Sequence, residues 1–260
     1  AFFNSLFLKD NLRPQGVFVG LDNYKFLFQD DVFRQVIWNN LIFALGTVPT
    51  SMALAILIAV KLSGQQRINM WMRTAFFYPT VIPLIAVANI WLFIYQPYYG
   101  LMTRLFDTLG LPTIPWLTSV HWVMASMVLM TVWKQTGFFM IFFLAGLQNI
   151  PRHIYESADM EGASGWYIFR RLTFPLLMPT TLFVLIIAIT DSVKMVDHIF
   201  VMTEGGPNNA SNLILYYIYQ NMFAFGDIGL ASTASVVLIV FLLLIAALNF
   251  FALDRRIHYR

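Results

Sequence analysis

The residue best placed for chemistry in this sequence is a lone lysine inside a long apolar run. Lys134 is flanked by Trp133 and Gln135, and it is the only Lys, Arg, Asp or Glu between His121 and Leu147. A cation in hydrocarbon costs at least about 2.5–3.5 kcal/mol, so we expect its ammonium to face a bundle interior, paired or hydrated. Two roles are open. The lysine lines a path for a polar solute, or it is a structural residue held by backbone carbonyls or a neighbouring subunit.

A second group of charges lies near the end of another apolar run. Asp191, Lys194 and Asp197 are spaced by three residues, a separation that brings side chains together on a helix. A cluster that neutralises itself is the slightly favoured interpretation over direct contact with a solute. If a solute does touch it, the carboxylates suit hydroxyl groups and Lys194 suits an acidic group. The candidate solute-path residues are therefore Trp133, Lys134, Gln135, Asp191, Lys194 and Asp197.

Several kinds of reactive site are missing from the sequence. It has no Cys, which excludes disulfides and thiolate sites, and its four His are scattered without the spacing of metal ligands. It has no Gly-x4-Gly-Lys-Ser/Thr phosphate loop and no recognisable nucleophile elbow or triad. We therefore predict no enzyme activity, no metal site and no cofactor in this chain.

The composition is that of a membrane protein. The chain is 59% hydrophobic and 11% charged, with a mean hydropathy of +0.69, whereas soluble domains carry about 25% charged residues. Its abundant Phe, Tyr and Trp suit a lipid-embedded bundle with aromatic belts. The net charge of +3 is small, so we read the basic residues as signals of orientation and predict no nucleic-acid partner.

Charge-poor intervals predict five transmembrane helices in an all-α polytopic membrane protein. Each interval exceeds the roughly 20 residues that cross a bilayer as a helix. Proline residues at positions 49, 79 and 83 lie inside them and should kink the helices. The predicted spans are Ile42–Ala59, Thr74 to about Gln96, His121–Leu147, Pro175 to about Val196, and Ile228–Leu253.

Basic residues set the predicted orientation. The denser group, which should be cytoplasmic, comprises Lys61, Arg67, Arg73, Arg152, Arg170, Arg171, Arg255, Arg256 and Arg260. The N-terminus would then lie outside, so we expect an earlier, sixth helix before Ala1, with Ala1 to Phe7 as its last turns. This divides the chain into 1–34, the end of a first helix plus an external segment, and 35–260, the transmembrane domain.

Two of the loops between the predicted spans have a distinctive residue pattern. The external loop 198–227 contains the turn-rich stretch from Thr203 to Ser211, followed by a predicted interfacial helix from Leu213 to Phe225. The polar loop 150–175 should be cytoplasmic and contain a short amphipathic helix from Ile154 to Met160.

Within the loop 150–175, residue spacing is the strongest motif in the chain. Glu156, Ser157 and Ala158 are followed after three residues by Gly162, and after nine more by Leu172, one spacer, Phe174 and Pro175. We expect Ala158 and Gly162 to share a helix face that another backbone approaches closely. Gly162 and Gly165 should let the chain bend, and Pro175 and Pro179 should restart a helix.

This spacing resembles the EAA loop of membrane subunits in ATP-binding-cassette importers, Glu-Ala-Ala-x3-Gly-x9-Ile-x-Leu-Pro. Ser157, Leu172 and Phe174 depart from it conservatively. The resemblance covers essentially the whole chain and is to the carbohydrate-type permeases, relatives of the membrane subunits for maltose and glycerol-3-phosphate uptake. Further stretches that carry it are Phe18–Tyr24, Asn39-Asn40, Gly205–Pro207 and Tyr216–Tyr219.

The resemblance implies a type I importer permease fold and a set of partners. These would be a second homologous permease subunit, two ATP-binding subunits that hold ATP and Mg, and an external, periplasmic solute-binding protein, in a bacterial or archaeal cytoplasmic (inner) membrane. The implied ATPase-coupling residues are Glu156, Ser157, Ala158, Asp159, Gly162, Leu172 and Pro175. The implied binding-protein contacts are Gly205, Gly206, Pro207 and Asn208.

Two alternatives belong to other functional classes. An ion-coupled secondary transporter of small polar solutes would need an ion site and no ATPase, and it leaves the loop 150–175 unexplained. An intramembrane enzyme would need facing catalytic groups inside the spans, where only Lys134 lies deep.

Overall fold

The computed structural model describes residues 1–13, 15–64 and 67–254 of a helical membrane protein. The basic residues of the predicted cytoplasmic tail, Arg255, Arg256 and Arg260, lie outside this range. The strands are β1 (Phe7–Leu8) and β2 (Val17–Phe18), which pair antiparallel. The helices are α1 (Asp22–Gln29), α2 (Asp31–Leu62), α3 (Arg67–Val81), α4 (Leu84–Ile94), α5 (Leu101–Thr108), α6 (Val123–Gln148), α7 (Arg152–Met160), α8 (Gly165–Ile168), α9 (Phe174–Leu176), α10 (Met178–Lys194), α11 (Asp197–Met202), α12 (Ile214–Tyr219) and α13 (Ile228–Asp254).

The described residues contain up to five spans that are long and apolar enough to cross a membrane. Three are single helices, α2, α6 and α13, and two are bent pairs, α3 with α4 and Gly165–Leu176 with Met178–Met202. The prediction of a helical membrane protein is confirmed, and the five predicted spans agree with the count in which each bent pair is one span.

The pairing of α2 with α6 forms the centre of the bundle, and α10 closes it. Small residues such as Ala55 and Ala59 let the helices approach, and Phe139 and Phe143 fill the space between them. Pro49 lies inside α2 without interrupting it, as neighbouring helices allow in a membrane.

The second and fourth spans are broken rather than merely kinked. α3 and α4 meet at 101°, and the two halves of the fourth span meet at 68°. Pro83 explains the first break, because it lacks an N–H and disfavours helical geometry at Ile82. The sequence predicted kinks at Pro79 and Pro83 in this span. The structure shows a full break at Pro83, while α3 continues through Pro79. At the second break, a π-helical segment (Phe169–Thr173) precedes α9, and Leu177 separates α9 from α10.

The N-terminal segment is not the end of a helix, as had been expected for Ala1 to Phe7. It forms a 3-10 turn (Asn4–Leu6) that leads into β1. This segment packs on α13, where the Thr233 hydroxyl donates to the carbonyl of Ser5 at 3.3 Å. Gly229 is required for this contact, since a Cβ there would lie 2.5 Å from the carbonyl oxygen of Phe7.

The predicted interfacial helix after the external loop belongs instead to the protein core. α12 and the π-helical segment that follows it (Gln220–Ala224) cover the predicted range, but Tyr216 and Tyr217 are buried. The Tyr217 hydroxyl donates to Asp30 at 2.8 Å, and Asp30 also caps the N-terminus of α2. Burial and this hydrogen bond raise the pKa of Tyr217.

Candidate functional site

A short amphipathic helix, α7, stands at the predicted cytoplasmic end of the bundle. It begins after Pro151, whose missing N–H costs nothing at a helix start. Ala158 is buried, whereas Glu156, Ser157 and Asp159 are exposed. The helix therefore rests on its own chain through Ala158 and turns an acidic face outward.

Gly162 ends α7 rather than extending its face. The N–H of Gly162 donates to the carbonyl of Asp159 at 3.0 Å, and the N–H of Ala163 donates to that of Ala158 at 3.0 Å. These two bonds form a Schellman C-cap, in which the residue after the cap is left-handed. Gly162 has φ of 70°, so the expectation that it shares a helix face with Ala158 was wrong.

The segment that follows returns the chain to the membrane. The Ser164 side chain caps α8 by accepting a hydrogen bond from the N–H of Tyr167. The Tyr155 hydroxyl lies 3.3 Å from that of Thr173, which ties α7 to this segment. Leu172 is half-buried and Pro175 is exposed. The helix restarts at Gly165, ten residues earlier than Pro175 suggested, because serine is a better helix cap than proline.

The three neighbouring candidates on α6 do not share one environment. Lys134 and Gln135 are buried, but Trp133 is 42% exposed and packs edge-on against Trp91. The ammonium of Lys134 donates to backbone carbonyls of the second span. Lys134 therefore has the contacts expected of the structural alternative, and its role toward a solute stays a prediction.

Asp191, Lys194 and Asp197 are not aligned on one helix. α10 ends at Lys194, Met195 is extended, and Asp197 begins α11. Within the described residues, the ion pairs shorter than 4 Å are confined to positions 22/25 and 31/34, so this trio does not neutralise itself by direct pairing. The Asp191 carboxyl group still interacts electrostatically with Lys194, and to a lesser extent with the Gln135 side chain. Lys194 itself is exposed.

A polar cavity lies between α2, α6 and α10 beside Gln135. Its volume of about 10 Å³ matches about one water-sized sphere, so a sugar cannot occupy it in this conformation. The buried Thr131 hydroxyl has no hydrogen-bond partner in the described part of the chain. The polar lining residues are Thr47, Ser51, Thr131, Gln135 and Ser192.

The external loop folds back onto the bundle. Gly205 is buried, and a Cβ there would lie 3.0 Å from the Tyr216 ring. Gly206 and Pro207 are half-buried, while Asn208 is exposed. Of the four candidate contacts for a binding protein, Asn208 thus presents the most accessible side chain.

Asn39 fastens this loop to α2, and sequence reasoning did not identify that role. Its side-chain amide donates to the carbonyls of Asn209 at 2.7 Å and Asn212 at 3.0 Å. An asparagine inside an apolar helix was the available signal, because a buried amide requires partners.

Replacing Asn39 with leucine should lower the free energy of unfolding by about 1–3 kcal/mol, since the buried carbonyl of Asn212 loses its side-chain donor. The carbonyl of Asn209 keeps one donor, the N–H of Asn212. Thermal unfolding of the purified full-length protein measures this. Asn40→Leu is the matched control, because Asn40 donates only within its own helix, to Val36, and its Oδ1 is buried without a partner. Equal destabilisation by the two substitutions would contradict the proposed tether.

The sequence of this chain is similar to those of known membrane proteins. The family described as binding-protein-dependent transport system inner membrane component matches residues 51–259. The chain is 32% identical to the sulfoquinovosyl glycerol transport system permease protein SmoG of Agrobacterium fabrum, over 91% of this chain and 76% of that protein. It is 30% identical to the sn-glycerol-3-phosphate transport system permease protein UgpA of the same species, over 100% of this chain and 88% of that protein.

A solved structure shows the same fold. A chain of the bacterial alginate ABC transporter, in complex with an alginate pentasaccharide-bound periplasmic protein, superposes with a TM-score of 0.83 at 24% identity, over 91% of this chain and 83% of that chain. The expected type I importer permease fold is therefore confirmed. With most of its length matched, this chain belongs to the family of binding-protein-dependent transport system inner membrane components.

Proposed function

We propose that this permease subunit forms part of the translocation path for a sugar, polyol or glycerol-phosphate-like solute, delivered by an external binding protein and driven by separate ATPase subunits. The observation that carries the proposal is α7. A short helix with exposed Glu156 and Asp159, held by its own chain through buried Ala158, provides a rigid surface for a partner.

A second permease subunit completes the path in this proposal. The polar cavity inside the chain has a volume of about 10 Å³, which is too small for a sugar. Trp133 and Lys194, in contrast, are exposed on this chain. A path that uses these side chains needs a facing surface, and a homologous subunit supplies one.

The solute class rests on the named relatives and on side-chain chemistry. The relatives are named for a sulfoquinovosyl glycerol and for sn-glycerol-3-phosphate. An aromatic ring, an amide and a carboxylate, as in Trp133, Gln135 and Asp191, suit a polyhydroxylated ligand. The exposed ammonium of Lys194 suits an anionic one. ATP and Mg would be bound by the ATPase subunits, in a bacterial or archaeal inner membrane.

The test is uptake by proteoliposomes that contain the full complex with its cognate binding protein. We expect uptake to require ATP on the ATPase side and binding protein on the opposite side, and to survive collapse of all ion gradients. Uptake driven by an ion gradient without ATP would establish the secondary-transporter alternative.

Replacing Lys194 with glutamine should raise the KM for an anionic solute by about tenfold or more, because a hydrogen bond to a charged group is lost. Uptake of a neutral sugar and thermal stability should change little, since Lys194 has no ion pair within 4 Å among the described residues. Lys61→Gln, which removes an exposed charge at the other end of the bundle, is the control. Unchanged KM values for both solute types would remove Lys194 from the path.

A further inference from the structure

The break in the second span exposes backbone carbonyls to a buried ammonium. A continuous helix would pair the carbonyl of Pro79 with the N–H of residue 83, but that residue is a proline and has none. The Nζ of Lys134 donates to this carbonyl at 3.0 Å instead. The lysine of α6 thus replaces a hydrogen bond that the sequence of the second span forbids.

Two more carbonyls complete the coordination of this ammonium. Nζ lies 2.6 Å from the oxygen of Ile82 and 3.5 Å from that of Thr80, which matches the three donors of an ammonium group. Lys134 is 9% exposed, and no acidic side chain within the described residues pairs with it within 4 Å. Carbonyl dipoles and the negative end of α3 therefore balance its charge.

Such a set of oxygens has the chemistry of a monovalent-cation site. In transporters, unwound carbonyls and the C-terminal ends of broken helices coordinate Na⁺, and rings of carbonyls replace the hydration shell of K⁺. We infer that the carbonyls of Pro79, Thr80 and Ile82 form a monovalent-cation site whose resident ion is the tethered ammonium of Lys134. The break is then held without any exchangeable ion.

Close packing holds α6 against α3, next to the break between α3 and α4. Gly137, one turn beyond Lys134, lies so close to α3 that a Cβ would overlap the carbonyl oxygen of Phe76. The two positions are three residues apart and share a helix face. The side chain of Lys134 therefore leaves α6 where this helix comes closest to the second span. This position keeps its ammonium within the carbonyl cage formed by Pro79, Thr80 and Ile82.

Removing the ammonium of Lys134 should make the thermal stability of the protein depend on a free monovalent cation. The experiment compares thermal unfolding of the full-length permease in choline, sodium and potassium chloride at equal ionic strength. Wild type should unfold at the same temperature in all three salts. Lys134→Ala, which vacates the cage, should unfold about 3–12 °C lower in choline chloride and recover at least half of that loss in sodium or potassium chloride.

Lys134→Met is the matched variant, because it removes the charge but keeps a side chain of similar length in the space. It should be destabilised equally in all three salts. Lys134→Ala that is as stable as wild type in choline chloride, or that no alkali cation restores, would overturn the inference.

A second substitution guards against loss of folding. If Lys134→Ala does not accumulate, adding Pro83→Ala should restore folded protein, since it returns an N–H to the Pro79 carbonyl. Failure of the double variant to accumulate would equally overturn the inference.

Discussion

Replacing Gly137 with alanine should lower the free energy of unfolding by about 3 kcal/mol, at the upper end of the usual cost of overpacking. The added Cβ would overlap the backbone carbonyl of Phe76, and a backbone carbonyl within a helix cannot move aside as a flexible side chain can. The loss should appear as a fall of roughly 6–12 °C in the thermal midpoint of the purified protein.

Gly165→Ala is the control for this prediction. A Cβ at Gly165 meets nothing within 4 Å, and its φ is not positive, so the midpoint should be unchanged or slightly higher. A Gly137→Ala protein as stable as Gly165→Ala would show that α3 and α6 are not in the close contact described above.

Replacing Gly162 with tryptophan should reduce transport at least tenfold while the spans remain folded. This prediction rests on the proposed coupling role of the loop. A bulky residue at φ of 70° costs about 1–2 kcal/mol locally and adds a ring at the C-terminal end of α7, where a Cβ meets nothing within 4 Å. The measurements are ATP-driven uptake, ATPase association and the thermal midpoint, which should fall by only a few degrees.

Gly162→Asn separates backbone conformation from bulk. Asparagine tolerates the left-handed region, and a Cβ at this position meets nothing within 4 Å, so we expect most of the transport to be retained. Normal uptake by Gly162→Trp would remove this loop from the coupling contact. Severe loss in Gly162→Asn would mean that the partner, rather than the C-cap, requires glycine.

The five spans could be predicted from sequence because burial in lipid demands long apolar runs, and nothing else in the chain has that length. The helix α7 could also be predicted, since its amphipathic pattern is local. Gly162 was misread because a spacing of four residues fits both a helix face and a helix end. Only the hydrogen bonds to Asp159 and Ala158 distinguish the two.

Other features depended on contacts that no local pattern encodes. The prolines predicted a distortion in the second span. They did not indicate which group would bind the freed carbonyls, because that group, Lys134, lies more than 50 positions away in the sequence. Asn39 likewise bonds to a loop 170 positions later. The burial of α12 was missed because aromatic residues suit both a membrane interface and a protein core.

The docking of the N-terminal segment on α13 has a consequence for synthesis on the ribosome. The carbonyl of Ser5 accepts from a hydroxyl 228 positions later, so this segment cannot pack in its final position until α13 has been synthesised. At about 5–20 residues per second, that delay is roughly 10–50 s. Throughout that interval, the hairpin of β1 and β2 lacks the α13 surface on which it packs in the folded protein.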